Sequence, residues 1–355
     1  MTEYRDVLER TRSRFQAPEL PLEQVLLRRD RRRRNQRVAA GALAVAIALA
    51  IAWAGTTVIR GRQQVPIFPG PSLTRTYRLL NVSDGSEAPF PAPEGGSWFR
   101  YSPDGSSVIF VKNDAQGRPQ LFRMGADGSD VVKITPDPEW ASQADEPAWS
   151  PDGRWIAYSG MSPSGYRRII ATRPTGFHPP RAGLSWAVRG ARAPSWSPDG
   201  SRIAFVAQGI WVLHVEYYNH NESITSGRPR RMVPTGTSPA WSPSGDQIAF
   251  TSGQGSGRRV ATADAEGTHV RELTDATSDH PTWSPDGGTI AYDVWSPDGH
   301  VAVWLIDPRT GQDRELLNDA SVESWKNDGT LLVSTYPDAT TTVTATPATT
   351  TSSST

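Results

Sequence analysis

Four side chains in one short stretch, His214, Glu216, His220 and Glu222, are of the types that ligate transition metals. His214 and Glu216 share one face of an extended strand, because side chains two apart point the same way. A polar strand face turned to water has the same composition, so no metal site is expected from these four. The glycines of Gly253-Gln254-Gly255-Ser256-Gly257 suggest a phosphate-cradling loop. The lysine and the helix that should follow are missing, and the segment reads as a flexible connection between strands. Asp84 and Asp127 sit in acidic turns without the ordered run of oxygen ligands that calcium requires. There is no Gly-x-Ser-x-Gly nucleophile elbow. Cysteine is absent, which removes thiol catalysis, disulfides and zinc-thiolate sites together. No catalytic residue, cofactor or metal is assigned, and the chain is expected not to be an enzyme.

The residues that do recur have a structural meaning. An aromatic residue followed by Ser-Pro-Asp-Gly or a near variant begins at Tyr101, Trp149, Trp196, Trp241, Trp283 and, in degenerate form, Trp325. The steps between these aromatics are 48, 47, 45, 42 and 42 residues, within the ~40–50 that one four-stranded propeller blade occupies. Proline presets the first corner of a type I turn, aspartate suits the second, and glycine takes the left-handed position after it. The turn residues so identified are Asp104 and Gly105, Asp152 and Gly153, Asp199 and Gly200, Gly245, Asp286 and Gly287, and Asp328 and Gly329. Short apolar strands follow, such as Ile203-Ala204-Phe205-Val206 and Ile290-Ala291-Tyr292. The aromatic of each phrase is expected to pack between blades, since it recurs at every repeat. A seventh copy, at Trp295, comes too soon after Trp283 for another blade and reads as an internal turn of blade five.

The ends of the repeat region complement each other. Tyr77 to Phe90 looks like the outer strand pair of a blade whose inner pair is missing, and Trp325 to Thr335 like an inner pair without an outer one. Together they make six blades, closed by strands from both ends of the chain. The expected fold is all-β, a six-bladed propeller over residues 72–337. The phrase and its spacing resemble the TolB-type propeller repeat. That resemblance implies a docking surface for a protein, a peptide or a cell-wall component, without naming the partner. Insertions collect on loops of the binding face in repeat proteins, which points to the long connections Tyr166 to Trp186 and Tyr217 to Arg231.

Before the repeats, residues 38–59 carry no charge and are long enough, at ~1.5 Å per residue, to cross a bilayer as a helix. Arg31, Arg32, Arg33, Arg34 and Arg37 lead a basic cluster just ahead of them, which places residues 1–37 in the cytoplasm and the propeller outside the cell membrane. A cleaved signal peptide is the alternative, since Ala52-Trp53-Ala54 imitates a cleavage site, but the leader before it is long for one. The basic cluster beside the span suits anionic lipid. With a formal net charge of zero there is no basic excess for phosphates, and no nucleic-acid partner is expected. Two short amphipathic patterns in 1–37 lie on the membrane or bind a cytosolic partner. This arrangement is similar to that of membrane-bound anti-sigma regulators. Residues 60–71 read as a Pro-rich linker and 338–355 as a disordered Thr/Ser-rich tail.

Overall fold

At each repeat phrase the chain reverses between two strands, and the way these reversals accumulate around an axis sets the whole architecture. The computed structural model describes residues 75–135, 142–161, 165–175, 188–218 and 223–335. The expected stub, membrane span, linker and tail lie outside the described residues, as do His220 and Glu222. Among the described residues the chain is all β, apart from one 3-10 turn at Gly255–Gly257, and forms six antiparallel sheets. The first strands of the six blades are Ser97–Tyr101, Ser142–Trp149, Arg192–Trp196, Thr237–Trp241, Ser278–Trp283 and Ala320–Trp325. Each touches the next around a closed ring, so these six line the axis and later strands of each blade step outward.

Closure is made by the two ends of the repeat region. Thr76–Asn81 pairs antiparallel with Thr330–Thr335, from Thr76 opposite Thr335 to Asn81 opposite Thr330. Glu87–Pro89 then forms the outer edge of the same sheet. Blade six thus takes its inner pair from the end of the repeat region and its outer pair from the beginning. The Trp295 phrase does lie inside blade five, between Ile290–Trp295 and Val301–Ile306. Because strands alternate in direction, the six repeat turns all lie on one face, here the turn face. The connections between second and third strands lie on the opposite face.

The core runs between blades rather than through one centre. Trp196 packs with Ala157 and Ile169 of blade two and with Ile203 and Phe205 of its own blade. Trp241 does the same between blades three and four, and Trp283 between four and five. Burying one such aromatic is worth on the order of 4 kcal/mol before the entropy of ordering it. Six wedges of this kind hold neighbouring blades in contact.

Two expectations are corrected. Tyr217 to Arg231 is not a plain connection: Ser223–Ser226 pairs with the end of the long strand Ile210–Tyr218, while Arg230–Val233 pairs with its beginning. The alternation that builds the strand simply continues past the blade edge, with Val215 still buried. Likewise, Tyr166 to Trp186 opens with a strand, Arg167–Thr172, hydrogen-bonded to Ile156–Met161.

Candidate binding site

The repeat phrase owes its shape to its serine. In blade three the buried Ser197 hydroxyl donates to Asp199 Oδ1 at 2.5 Å and accepts the backbone N–H of Arg202 at 2.9 Å. Asp199 Oδ1 also accepts the N–H of Ser201, and Gly200 closes the turn by donating its N–H to Ser197 O at φ 70°. Burial works against the Asp199 charge, but the hydroxyls of Ser197 and Ser201 outweigh it and hold its pKa down to about 2. Tyr101, Trp149, Trp283 and Trp325 head the same turn in blades one, two, five and six, with Asp104, Asp152, Asp286 and Asp328 each accepting a backbone N–H two residues on. Where blade four has Ser244 instead of aspartate, Asp246 takes the Ser242 hydroxyl. Where blade six has Lys326 instead of serine, its ammonium reaches Asp328. Every aspartate of these phrases is spent on its own turn, so the repeats are scaffold. Asp84 and Asp127 are used in the same way, by Ser86 and Ser129.

The turns also touch one another. An added Cβ on Gly200 would meet Pro151 of the preceding blade at 3.4 Å, and one on Gly245 would meet Pro198 at 3.0 Å. The motif tryptophans complete the link: the indole N–H of Trp149 donates to Arg100 O, that of Trp283 to Ala240 O, and that of Trp325 to Thr282 O.

A second set of side chains converges on the axis and the opposite face. In blades one to five the first strand bulges three residues before the repeat aromatic, at Trp98, Glu146, Ala193, Ser238 and His280, with φ between 48° and 55°. Bulges re-aim side chains, and here they bring together residues far apart in sequence. Trp98 of blade one meets the His280 ring of blade five edge-on, centroids 6.3 Å apart, although blade six stands between those blades. Arg100 lies over Trp98 at 5.6 Å and donates to the backbone carbonyls of Phe99 and Glu323. Glu146 accepts the Ala193 N–H at 2.8 Å and faces Arg192 at 3.8 Å, tying blade two to blade three. Burial pushes the pKa values of Glu146 and Glu323 up and that of Arg100 down.

His280 is held between carboxylates. Its Nδ1 lies 3.2 Å from Asp293 Oδ2, while Asp293 also accepts the Ser321 hydroxyl and the Val322 N–H of blade six. Burial opposes protonation of the ring, but the Asp293 hydrogen bond and the charges of Asp279 and Asp293 outweigh it and raise its pKa. Asp279 in turn accepts the Thr251 hydroxyl and pairs with Arg258, and its pKa is lowered despite burial.

On the rim of the opposite face, two further aromatics carry arginines. Arg189 lies over Tyr166 at 4.0 Å and Arg258 over Trp295 at 5.9 Å. Trp295 heads a repeat phrase, yet it is 36% exposed: it ends the second strand of its blade instead of the first. The bulges had a sequence signal that was not used: Pro147, Pro194, Pro239 and Pro281 each stand two residues before a repeat tryptophan, and proline inside a sheet belongs at a bulge or an edge. Among the described residues, no group of three or more His, Cys, Asp or Glu side chains is placed to hold a metal. His214 and Glu216 are both exposed on the third strand of blade three. Gly253 to Gly257 joins the second and third strands of blade four.

A ring of six antiparallel blades, linked through their repeat turns, defines a β-propeller of the repeat-turn class. Residues 144–343 match the PD40 family, described as the TolB beta propeller domain, and the chain belongs to that family. No curated protein matches the sequence. Among solved structures, a protein described as TolB from Agrobacterium tumefaciens is similar at a TM-score of 0.61 and 20% identity, over 75% of this chain and 99% of that one. TolB from Acinetobacter baumannii gives 0.49 at 15% identity, over 76% of this chain and 65% of that one. An oligogalacturonate lyase from Vibrio parahaemolyticus gives 0.43 at 12% identity, over 74% of this chain and 78% of that one. These likenesses are of fold.

Proposed function

We propose that the chain is a non-enzymatic binding module of the cell envelope, anchored through residues 38–59, whose propeller takes a protein, peptide or wall component on the face opposite the repeat turns. The observation that carries this reading is the two arginine-aromatic pairs on the rim of that face, Arg189 with Tyr166 and Arg258 with Trp295, beside Arg100 and Trp98 on the axis. Tryptophan, tyrosine and arginine are the residues that most often dominate interface energetics. The turn chemistry supports the same reading, because the recurring polar groups are consumed internally.

The test is in-cell crosslinking of the tagged full chain, read by mass spectrometry, beside the double variant Trp295→Ala and Tyr166→Ala. Neither ring is buried, so the variant keeps the fold and loses at least tenfold in crosslink yield from the propeller. Unchanged yield removes this face. The same data decide the regulatory alternative, in which residues 1–37 hold a cytosolic transcription factor and the propeller senses from outside: crosslinks to a cytosolic protein on 1–37 favour it.

A further inference from the structure

Six copies of one seam make any departure from the repeat visible, and blade one has one. Registering the third strands on their neighbours aligns Arg123 with Ala171, Val212, Thr262, Leu305 and Leu79 of the other blades. Five blades place a small or apolar residue there; blade one places a guanidinium. Arg123 shares its strand face with Leu121, which packs into the seam between blades one and two. Its Nε is buried and has no hydrogen-bond partner, and it makes no ion pair among the described residues. The side chain is half-buried, and its Nε–H lacks the partner that a buried donor needs.

Arg123 faces a cavity. It has a volume of about 460 Å³, within the ~300–1,000 Å³ of small-ligand sites. It opens on the turn face, between the repeat turns of blades one and two. Trp149, Pro103, Pro151 and Pro174 give it apolar walls, and Asp104 and Asp152 stand at the same site. Asp104 is fully engaged by Ser102 and Ser106, and its pKa is lowered by those bonds, so it stays charged.

We infer that this cavity binds a carboxylate borne by a peptide, with Arg123 as the group that receives it. An arginine fork matches a carboxylate in two parallel hydrogen bonds. The two aspartates select within the class of anions: a dianion such as phosphate meets their repulsion twice over, while a monoanion followed by an apolar side chain gains Arg123 and the Trp149 and proline walls. The site lies on the face away from the docking rim proposed above and does not depend on it.

The experiment uses the detergent-solubilised full chain labelled with 15N-arginine. The Arg123 Nε–H resonance is identified by its loss in R123Q and is sharp because the group is buried. The probes are the acetylated tripeptide Ac-Ala-Ala-Leu with a free carboxylate, its C-terminal amide, and inorganic phosphate, all at matched ionic strength. The free acid is expected to shift the Arg123 signal saturably, with the amide at least ~10-fold weaker and phosphate weaker than the acid. R123Q should abolish binding of the acid and leave the melting temperature equal or up to ~3 °C higher, since an unpartnered half-buried charge is gone. R123K, which keeps the charge but not the fork, should weaken the acid by ~10-fold. Equal responses to acid and amide, tighter binding of phosphate, or a melting temperature that falls in both variants would each overturn the assignment. Crosslinking on the opposite rim is unaffected by any of these results.

Discussion

In five of the six repeat turns a buried serine hydroxyl holds the corner. Ser197 is wholly buried and makes its hydrogen bonds inside the turn. Ser197→Ala should therefore cost ~1–2 kcal/mol in urea unfolding, because it strands the Arg202 N–H and removes a partner from Asp199. Glycine is required for two separable reasons, and two glycines separate them. Gly117 and Gly245 have φ of 73° and 77°, but a Cβ on Gly117 meets nothing while one on Gly245 meets Pro198 at 3.0 Å. Gly117→Ala should cost ~1 kcal/mol from the left-handed backbone alone. Gly245→Ala should cost measurably more in the same assay, and equal losses would show that the contact between turns adds nothing. The pH dependence of the turn has a definite sign. Asp199 has its pKa lowered to about 2, so its stabilisation is present above the ordinary carboxylate range near pH 4 and is lost as pH falls toward 2. Asp199→Asn should flatten the acid limb of a melting-temperature profile between those values.

At the scale of the strand, the bulges explain what could be read in advance and what could not. The turns, the apolar strands behind them and the place of Trp295 follow from local chemistry, because a Pro-Asp-Gly corner and an alternating strand are each settled within a few residues. The bulge is not local. In blade three, Ala193 and Pro194 face the single residue Phe205, and in blade five His280 and Pro281 face Tyr292. Only the register shows that an aromatic of the second strand fills the space a bulge opens. Blade six departs from this pattern: Val333 stands where the aromatic would be, its register shift falls between Val322 and Ser324, and no residue of Ala320–Trp325 has positive φ. The meeting of Trp98, Arg100 and His280 was equally hidden, since it joins blades one and five across the axis. The strand Ser223–Ser226 was missed for a different reason: its polar composition, Ser-Ile-Thr-Ser, reads as a connection until its partner Val215–Tyr218 is seen. His280 links blades five, six and one through Asp293 and Trp98, and its raised pKa gives the second pH prediction. Its contribution is complete below the ordinary imidazole value near 6.5 and disappears as pH rises through the raised value. His280→Gln should remove that decline from the neutral limb of the melting profile, with the facing groups Asp279, Asp293, Arg100 and Arg258 left in place.

For the whole molecule, the seam in blade six is the point on which cooperativity turns. Five blades are continuous in sequence, so their strands stay tethered to one another even when pairing is lost. Blade six is held together only by the ladder between Thr76–Asn81 and Thr330–Thr335 and by the packing of Leu80 with Val303, Leu317, Leu331 and Val333. A chain beginning at Gly95 lacks both outer strands, so Thr330–Thr335 becomes an open edge and the apolar side chains of its seam face water. Exposed edges of this kind pair with other chains, and the first strand of blade one loses Tyr77 and Phe90, which pack against Phe99 at ring distances of 4.7 and 5.1 Å. The chain beginning at Gly95 should therefore aggregate or melt well below one beginning at Ser72, which retains the closing strands. A point change tests the same claim without altering chain length. Leu80 is 1% exposed, and Leu80→Ala should cost ~2–4 kcal/mol, lowering one sharp transition if the ring unfolds as a unit. Splitting of that transition into two, or equal melting of the two shortened chains, would mean that the blades stand without closure and that the ring owes its stability to the wedges between neighbours alone.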